Sequence, residues 1–188
     1  MKIITILGSP KKSGNTAKVL EQFESLVKNG HQVDRVDIAS YDIKGCVGCY
    51  ACQQVLDKPG CVQKDDAVAI FERMMESDAV IYTSPLYCWD FTSQIKAFLD
   101  RHFCLVTGYG TPDYKSLLEG KRAALLVTCG GAVEDNADLI QTMFDRMVGY
   151  CKGDVIGKYI VPFCTTPDAI GPEATKIVEK LAVDLGVL

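Results

Sequence analysis

The fold of this chain is decided near its start, where residues 3–16 read IITILGSPKKSGNT. The apolar run from Ile3 to Leu7 does not alternate with polar residues, which is typical of a parallel strand buried on both faces. Gly8 ends this run, and apolar residues then recur on one face from about Thr16 to Lys28, which predicts a helix. The sequence therefore predicts a strand, a polar loop and a helix at the beginning of the chain.

The polar loop between this strand and this helix is a candidate anion-binding site. The first turn of a helix carries unpaired N–H groups and a partial positive charge, so it attracts anions. The loop adds short polar side chains, a positive charge and a glycine that lets the backbone approach a ligand closely. The residues concerned are Ser9, Lys11, Ser13, Gly14, Asn15 and Thr16. The alternative is an ordinary turn in which these side chains only complete the start of the helix.

The spacing of the loop narrows the choice of phosphate ligand. Five residues separate Gly8 from Gly14, and Asn15 stands where a nucleotide-triphosphate loop has lysine, so triphosphate hydrolysis is not expected. The Gly-x-Gly-x-x-Gly fingerprint of dinucleotide-binding loops is also absent from the sequence. A terminal monophosphate, such as that of FMN, is the ligand that this loop favours.

The remaining sequence repeats the alternation of strand and helix. Further strands are predicted over residues 32–38, 79–83, 123–128 and 155–163, and further helices over 66–77, 93–103, 139–148 and 173–185. This order implies right-handed βαβ units and a parallel sheet with helices on both faces. We expect a single domain over residues 1–188, with residues 105–120 as a surface excursion. Ligands of such sheets bind where the strands end, which here means loops 8–16, 84–91 and 129–132.

The second and third of these loops carry residues suited to a flat ring. Tyr87, Trp89 and Phe91 offer flat apolar walls for the isoalloxazine ring of a flavin. The alternative is that some of these aromatic side chains cover the core or a dimer interface. The Cys-Gly-Gly segment at 129–131 leaves backbone groups free to approach the edge of a ring, or it forms a plain turn.

The cysteines form a second pattern in a chain that has nine of them. Two residues separate Cys46 from Cys49 and Cys49 from Cys52, and eight residues separate Cys52 from Cys61. Thiolates at this spacing can wrap an iron–sulfur cube. Free thiols, a zinc site and a redox-active disulfide are the alternatives. Three other cysteines lie in or beside apolar segments and are interpreted as small hydrophobic residues: Cys104, Cys151 and Cys164.

Composition and charge argue against several functional classes. The net charge is -4 and the pI is about 5.2, which is not expected of a protein with a nucleic-acid partner. No stretch approaches the roughly 18 apolar residues that cross a bilayer, so no membrane partner is expected. The first apolar run is too short for a signal peptide, and the odd number of cysteines suits a reducing compartment. We therefore expect a cytoplasmic protein.

The loop at residues 8–16 is one of three segments that match a known pattern. The second comprises SPLY at 84–87 with QIKAFLDR at 94–101, and the third comprises CVGCYAC at 46–52 with the residues up to Asp66. Together they resemble the signatures of the NADPH-dependent FMN reductases, a flavodoxin-like family that includes the iron–sulfur flavoproteins. Phe91 departs from this pattern, because a small or polar residue is expected near it.

The resemblance implies a flavodoxin-like three-layer sandwich with strand order 2-1-3-4-5, non-covalently bound FMN and a homodimer or homotetramer. It implies that the residues of the first loop hold the phosphate. Ring contacts are implied for Pro85, Leu86, Tyr87, Cys88, Trp89, Cys129, Gly130 and Gly131. It also implies a 4Fe-4S cluster on Cys46, Cys49, Cys52 and Cys61, although the last gap is longer than expected.

The activity that we expect is that of an FMN-dependent NAD(P)H oxidoreductase. A hydride passes from the nicotinamide to flavin N5, and the electrons then go to a small-molecule acceptor or to ferredoxin. This step requires no side-chain acid or base, so no catalytic residue is named, and His31 and His102 are interpreted as structural. The alternatives are a flavodoxin-type electron carrier without nicotinamide activity, an iron–sulfur flavoprotein that takes electrons from ferredoxin, and a flavin-free redox or metal sensor.

Overall fold

Five parallel strands form the central sheet of the computed structural model, which describes residues 1–166 and 170–188. In chain order the strands are β1 (Lys2–Leu7), β2 (Gln32–Asp37), β3 (Ala79–Pro85), β4 (Val106–Thr107), β5 (Lys115–Ser116), β6 (Arg122–Thr128) and β7 (Asp154–Val161). The sheet runs in the order β2-β1-β3-β6-β7, while β4 and β5 form a separate antiparallel pair. When only the strands of the central sheet are counted, this is the predicted order 2-1-3-4-5, which is confirmed.

Helices cover both faces of the sheet. They are α1 (Asn15–Val27), α2 (Ala67–Glu76), α3 (Ser93–Asp100), α4 (Asp138–Tyr150) and α5 (Pro172–Asp184). Ile3 and Leu7 of β1 pack with α1 and α5, whereas Ile4 and Ile6 pack with α2, α3 and α4. Because successive side chains of a strand point to opposite faces, this one apolar strand stabilises both layers of helices. The predicted three-layer α/β sandwich is therefore confirmed.

Some element boundaries differ from the predicted ones for local reasons. The predicted strand over 155–163 ends at Val161, because Pro162 has no N–H to donate to a neighbouring strand. The predicted helix over 93–103 ends at Asp100, and a 3₁₀ turn over Arg101–Leu105 continues the chain. Within residues 1–166 and 170–188, no helix has the length and apolar character of a bilayer-spanning segment.

The carboxyl ends of the strands lie side by side and carry the predicted ligand loops with them. Backbone N–H groups donate to carbonyls of the neighbouring strand from Gly8 to Thr83, from Leu86 to Thr128 and from Cys129 to Val161, at 2.7, 2.8 and 3.0 Å. At the end of β1, a Cβ atom on Gly8 would lie only 2.7 Å from Ile95 Cβ in α3. Glycine therefore allows the first loop to leave the sheet directly against α3.

Candidate functional site

The three loops line one cavity of about 380 Å³ (the large cavity), a volume that suits a small organic ligand. Eleven of the residues predicted to bind the cofactor line it: Ser9, Lys11, Ser13, Gly14, Asn15, Thr16, Pro85, Leu86, Tyr87, Cys129 and Gly130. The structure does not bring Cys88, Trp89 and Gly131 into this lining. The loops that the sequence singled out therefore surround a single space.

One end of the cavity is the start of α1. Gly14 precedes the helix in an extended conformation, with ψ of 178°, and no side chain caps the helix there. The N–H groups of the first turn are therefore available to a ligand. A Cβ atom on Gly14 would lie 3.1 Å from Lys11 Cβ, so glycine lets the loop close tightly at this point.

The same end of the cavity carries positive charge. Lys11 and Lys18 both contribute to the lining, and no aspartate or glutamate of the described residues does so. Lys18 was missed in the sequence, although it follows Asn15 by three residues and so lies on the same face of the helix. Two ammonium groups beside an uncapped helix start favour an anionic ligand group.

Hydroxyl groups fix the shape of this end. The Ser9 Oγ atom accepts a hydrogen bond from the Lys11 N–H and donates one to the Lys11 carbonyl, both at 3.1 Å. Behind the loop, the Thr16 and Thr128 Oγ1 atoms are hydrogen-bonded at 2.7 Å, and both residues are buried. These side chains therefore hold the loop in place as well as lining the cavity.

A fourth loop, between β7 and α5, completes the wall. The Asn15 Nδ2 atom donates to the carbonyls of Cys164 and Thr166, at 3.2 and 2.7 Å. The Cys164 N–H donates to the Cys129 carbonyl at 2.8 Å. These bonds bring Cys164 and Thr165 into the lining, which the sequence did not predict. The available signal was that β7 ends at the same edge of the sheet as β1, β3 and β6.

A tight turn in the second loop explains why Cys88 and Trp89 lie outside the lining. The Tyr87 N–H donates to the Asp90 carbonyl at 3.0 Å, and the Asp90 N–H donates back to Tyr87 at 3.1 Å. Cys88 and Trp89 form the exposed tip between them, with positive φ angles of 48° and 64°. Non-glycine residues adopt this conformation at a cost, and such strain is concentrated at functional sites. Phe91, in contrast, is buried in the core.

The cavity contains two thiols, and burial keeps both in the neutral form. Burial raises the pKa of Cys129, whose Sγ–H donates to the Gly131 carbonyl at 3.3 Å. Burial also raises the pKa of the half-buried Cys164. Thiols with raised pKa values are poor nucleophiles at neutral pH. Cys164 packs against the core, as interpreted from the sequence, and it also lies in the cavity wall.

The cysteine-rich loop, residues 44–64, forms a second, much smaller cavity of about 10 Å³ (the small cavity). Its lining includes all four predicted metal ligands: Cys46, Cys49, Cys52 and Cys61. The Gly48 N–H lies 3.5 Å from Cys46 Sγ, a contact of the kind that stabilises metal-bound sulfur. All nine cysteines are free thiols, and among the described residues no three metal-ligating side chains converge as a metal site. The donor set therefore matches a thiolate-bound cluster, but the loop is too closed to hold one.

Cys104 and Cys151 are buried, as interpreted from the sequence. Burial raises the pKa of each thiol to about 12. Cys104 also lines the small cavity beside the four predicted ligands, a position that the sequence did not indicate.

A buried ion pair closes the base of the cysteine-rich loop. The Arg101 Nη1 atom donates to Asp65 Oδ2 at 2.6 Å, and the two side chains are only 1% and 0% exposed. Burial alone would raise the pKa of the Asp65 carboxyl. Its hydrogen bonds with Arg101, Lys44 and Ala67 lower the pKa by a larger amount, so the net pKa shift is downward. Asp65 is therefore ionised at neutral pH and holds the guanidinium in place.

Neither histidine lines the large cavity. His102 is buried, with its Nε2 atom 3.0 Å from the Tyr82 hydroxyl and its Nδ1 atom 3.2 Å from the Phe98 carbonyl. Burial lowers the pKa of His102 to about 4. His31 lies at the other end of β1, where its Nδ1 atom contacts the N-terminal ammonium at 3.1 Å. Both positions agree with structural roles.

The strand order, together with a cavity at the carboxyl ends of β1, β3 and β6, defines a flavodoxin-like α/β protein. The sequence model of one family, described as NADPH-dependent FMN reductase, matches residues 1–163. The chain belongs to this family and is an oxidoreductase, as the sequence predicted.

Individual known proteins agree with this assignment. The chain is 34% identical to a protein named iron-sulfur flavoprotein from Archaeoglobus fulgidus, over 96% of this chain and 77% of that protein. The structure of an NAD(P)H:quinone oxidoreductase from Methanothermobacter marburgensis matches with a TM-score of 0.71 at 20% identity, covering 100% of this chain and 96% of the other. An FMN-dependent NADH-azoreductase from Bacillus anthracis, in complex with FMN, matches with a TM-score of 0.67 at 17% identity over 98% of both chains. These two structures confirm the fold.

Proposed function

We propose that the large cavity binds FMN and that the chain uses it to oxidise NAD(P)H. The observation that carries this proposal is that the two ends of one cavity differ in chemistry. A positively charged, uncapped helix start suits a dianionic phosphate, and the loops after β3 and β6 suit a flat ring. Bound FMN would supply the redox chemistry, namely hydride uptake at N5 and release of electrons to a small-molecule acceptor or ferredoxin.

The residues of the cavity divide between the two parts of the cofactor. The phosphate would be held by the first turn of α1, Lys11 and Lys18, with Ser13 as a further donor. The ring would be held by Pro85, Leu86, Tyr87, Cys129 and Gly130. The lining contributes neutral thiols and no carboxylate of the described residues. The side chains would therefore bind and orient the reactants, without acting as an acid or base.

The test compares FMN with riboflavin, which has the same ring but no phosphate. We expect flavin-free protein to bind one FMN per chain at least about tenfold more tightly than riboflavin, because charged hydrogen bonds to the phosphate are lost with riboflavin. Equal affinities would contradict the assignment of the phosphate end. Under nitrogen, NADPH or NADH should then bleach the bound flavin. A flavin that neither nucleotide reduces would indicate an electron carrier.

A second function is favoured by the cysteine-rich loop. We propose that Cys46, Cys49, Cys52 and Cys61 bind a 4Fe-4S cluster, which would transfer single electrons. The supporting observation is that all four thiols line one cavity, beside the backbone N–H of Gly48. Because this cavity is only about 10 Å³, the proposal requires the loop to open. Cys46 and Cys49 are exposed and lie outside regular secondary structure, so their movement breaks no helix or strand.

Anaerobic purification followed by iron and sulfide assays tests this second function. We expect about four iron and four sulfide per chain, as the cluster formula requires. Cys49→Ala should lose most of the iron, whereas Cys88→Ala should keep it, because Cys88 is equally exposed but lies outside the small cavity. Zinc in place of iron, or the absence of metal, would contradict the proposal. The homodimer or homotetramer and the cytoplasmic location stay predictions.

A further inference from the structure

The side chain of Asn15 is bonded to the fourth loop, between β7 and α5. Its Nδ2 atom donates to the carbonyls of Cys164 and Thr166, at 3.2 and 2.7 Å. An amide nitrogen carries two N–H donors, so these two bonds use both of them. The two carbonyls also fix the orientation of the amide, because its oxygen would be repelled at the same place. No donor of this side chain is therefore left for a phosphate.

The backbone of Asn15 has a different surrounding. Asparagine is among the residues that are preferred at the cap position of a helix. Here it stands one position later, as the first residue of α1, while Gly14 occupies the cap position and no side chain caps the helix. The N–H groups of the first turn therefore stay available to a phosphate, while the Asn15 side chain serves the fourth loop.

The part of the fourth loop that Asn15 contacts has few other attachments. Residues 162–166 lie outside helices and strands. Four hydrogen bonds join this segment to the other described parts of the chain, and Asn15 donates two of them. The other two are backbone bonds to the loop after β6, at 2.8 and 3.3 Å. Asn15 therefore supplies half of the hydrogen bonds that fix the segment.

The segment is also strained in its present position. Phe163 has a φ of 53° and is 62% exposed. This conformation costs energy in a residue with a Cβ atom, and it persists only where the surrounding structure enforces it. Loss of the bonds from Asn15 would therefore favour movement of the segment.

Movement of this segment would open the large cavity on one side. Cys164 and Thr165 are the described residues that line the cavity from beyond β7. Thr165 packs closely on the loop after β6, because a Cβ atom on Gly130 would lie 3.1 Å from Thr165 Cγ2. The segment is thus a wall of the cavity whose position depends on a side chain in α1.

We propose that Asn15 is a positioning residue whose side-chain amide holds residues 162–166 against the bound flavin and so slows flavin release. The inference rests on the proposed binding of FMN and adds a control of flavin exchange to it. The Asn15 side chain acts on the wall and does not contact the phosphate. Its removal should therefore affect flavins with and without a phosphate alike.

Stopped-flow measurement of flavin release tests this inference. We expect Asn15→Ala to release FMN and riboflavin each at least about tenfold faster than the wild type, because two hydrogen bonds that fix the wall are lost, while the association rates do not fall. Thr166→Ala is the matched control and should behave as the wild type, since Thr166 contributes only its backbone carbonyl. Faster release of FMN alone would assign the side chain to the phosphate, and unchanged release of both flavins would also overturn the inference.

Amide hydrogen exchange of flavin-free protein tests the contact without any flavin. Peptides that cover residues 162–166 should exchange at least about tenfold faster in Asn15→Ala than in the wild type, whereas peptides from β1 should not change. If β1 also exchanges faster, Asn15→Asp takes the place of the alanine variant, because it keeps the shape of the side chain but presents oxygen to both carbonyls. Equal exchange of the segment in wild type and variants would refute the role of Asn15. A wild-type chain that binds no flavin, yet shows the difference in exchange, would refute the binding of FMN and leave the role of Asn15 in holding the wall established.

Discussion

We expect single side chains to decide which ligand the large cavity accepts. Lys11, Lys12 and Lys18 are all exposed, but only Lys11 and Lys18 line the end of the cavity that is proposed to hold the phosphate. We expect Lys11→Gln and Lys18→Gln each to weaken FMN binding about tenfold, because each removes a cation from a doubly charged phosphate. Riboflavin affinity should not change. Isothermal titration of both flavins measures the effect, and Lys12→Gln is the matched control. An equal loss of riboflavin binding would show that the lysines only support the fold.

A single buried side chain also sets a pH dependence of stability. Burial lowers the pKa of His102 from 6.5 to about 4, so between these values the unfolded chain binds a proton that the folded chain excludes. The contribution of neutral His102 is fully present above about pH 6.5 and is lost as the pH falls towards 4. We expect a loss of about 3 kcal/mol of unfolding free energy from this group over that interval.

Urea unfolding of His102→Gln at several pH values checks this expectation. Glutamine does not titrate in this interval and can still hydrogen-bond to the Tyr82 hydroxyl, so the variant should lose most of the slope between pH 4 and 6.5. His31→Gln is the control, because it leaves the buried His102 unchanged and should keep the slope. A variant of His102 with the same slope as the wild type would assign the pH dependence to other groups.

At the scale of elements, the turn at the end of β3 stores strain that a substitution can release. Trp89 has a φ of 64° and is 55% exposed. We expect Trp89→Gly to raise the unfolding free energy by about 1 kcal/mol, because glycine adopts positive φ without the clash of a Cβ atom. Trp89→Ala keeps the Cβ atom and should not stabilise the protein. Urea unfolding measures both variants.

The same pair of variants tests the predicted contact between Trp89 and the ring. The structure leaves Trp89 outside the lining of the cavity, so we expect FMN affinity within about twofold of the wild type in both variants, a difference of less than about 0.5 kcal/mol. A tenfold loss of affinity in both would restore the contact that the sequence predicted. It would also mean that the turn moves when flavin binds.

The elements also show what the sequence could and could not specify. The strands and helices were predicted because apolar periodicity is a local property, and β1 illustrates this with a continuous run that serves both layers of the sandwich. The positions of Cys164 and Thr165 in the cavity wall could not be predicted, because they depend on non-local contacts. Asn15, about 150 residues earlier in the sequence, donates the hydrogen bonds that hold their loop against the cavity. The tight turn at Cys88 and Trp89 was missed because neither residue type favours positive φ.

At the scale of the whole molecule, a bound cofactor would add contacts among loops that follow four different strands of the sheet. The large cavity is lined from the loops after β1, β3, β6 and β7, so a ligand that fills it stabilises the folded chain against an unfolded chain that lacks the site. At a free concentration one hundred times the dissociation constant, this linkage supplies about 2.7 kcal/mol. For a chain of 188 residues, that corresponds to a rise in melting temperature of roughly 5–10 °C.

Thermal unfolding of flavin-free protein with increasing FMN therefore gives a measure of the proposed site that does not depend on catalysis. The melting temperature should keep rising with the logarithm of the FMN concentration once the site is saturated, because the linkage free energy has that form. Riboflavin at the same concentration should give a smaller rise, since it lacks the group that the helix start and the two lysines attract. If riboflavin and FMN raise the melting temperature equally, the ring alone is bound, and the loop between β1 and α1 is an ordinary turn.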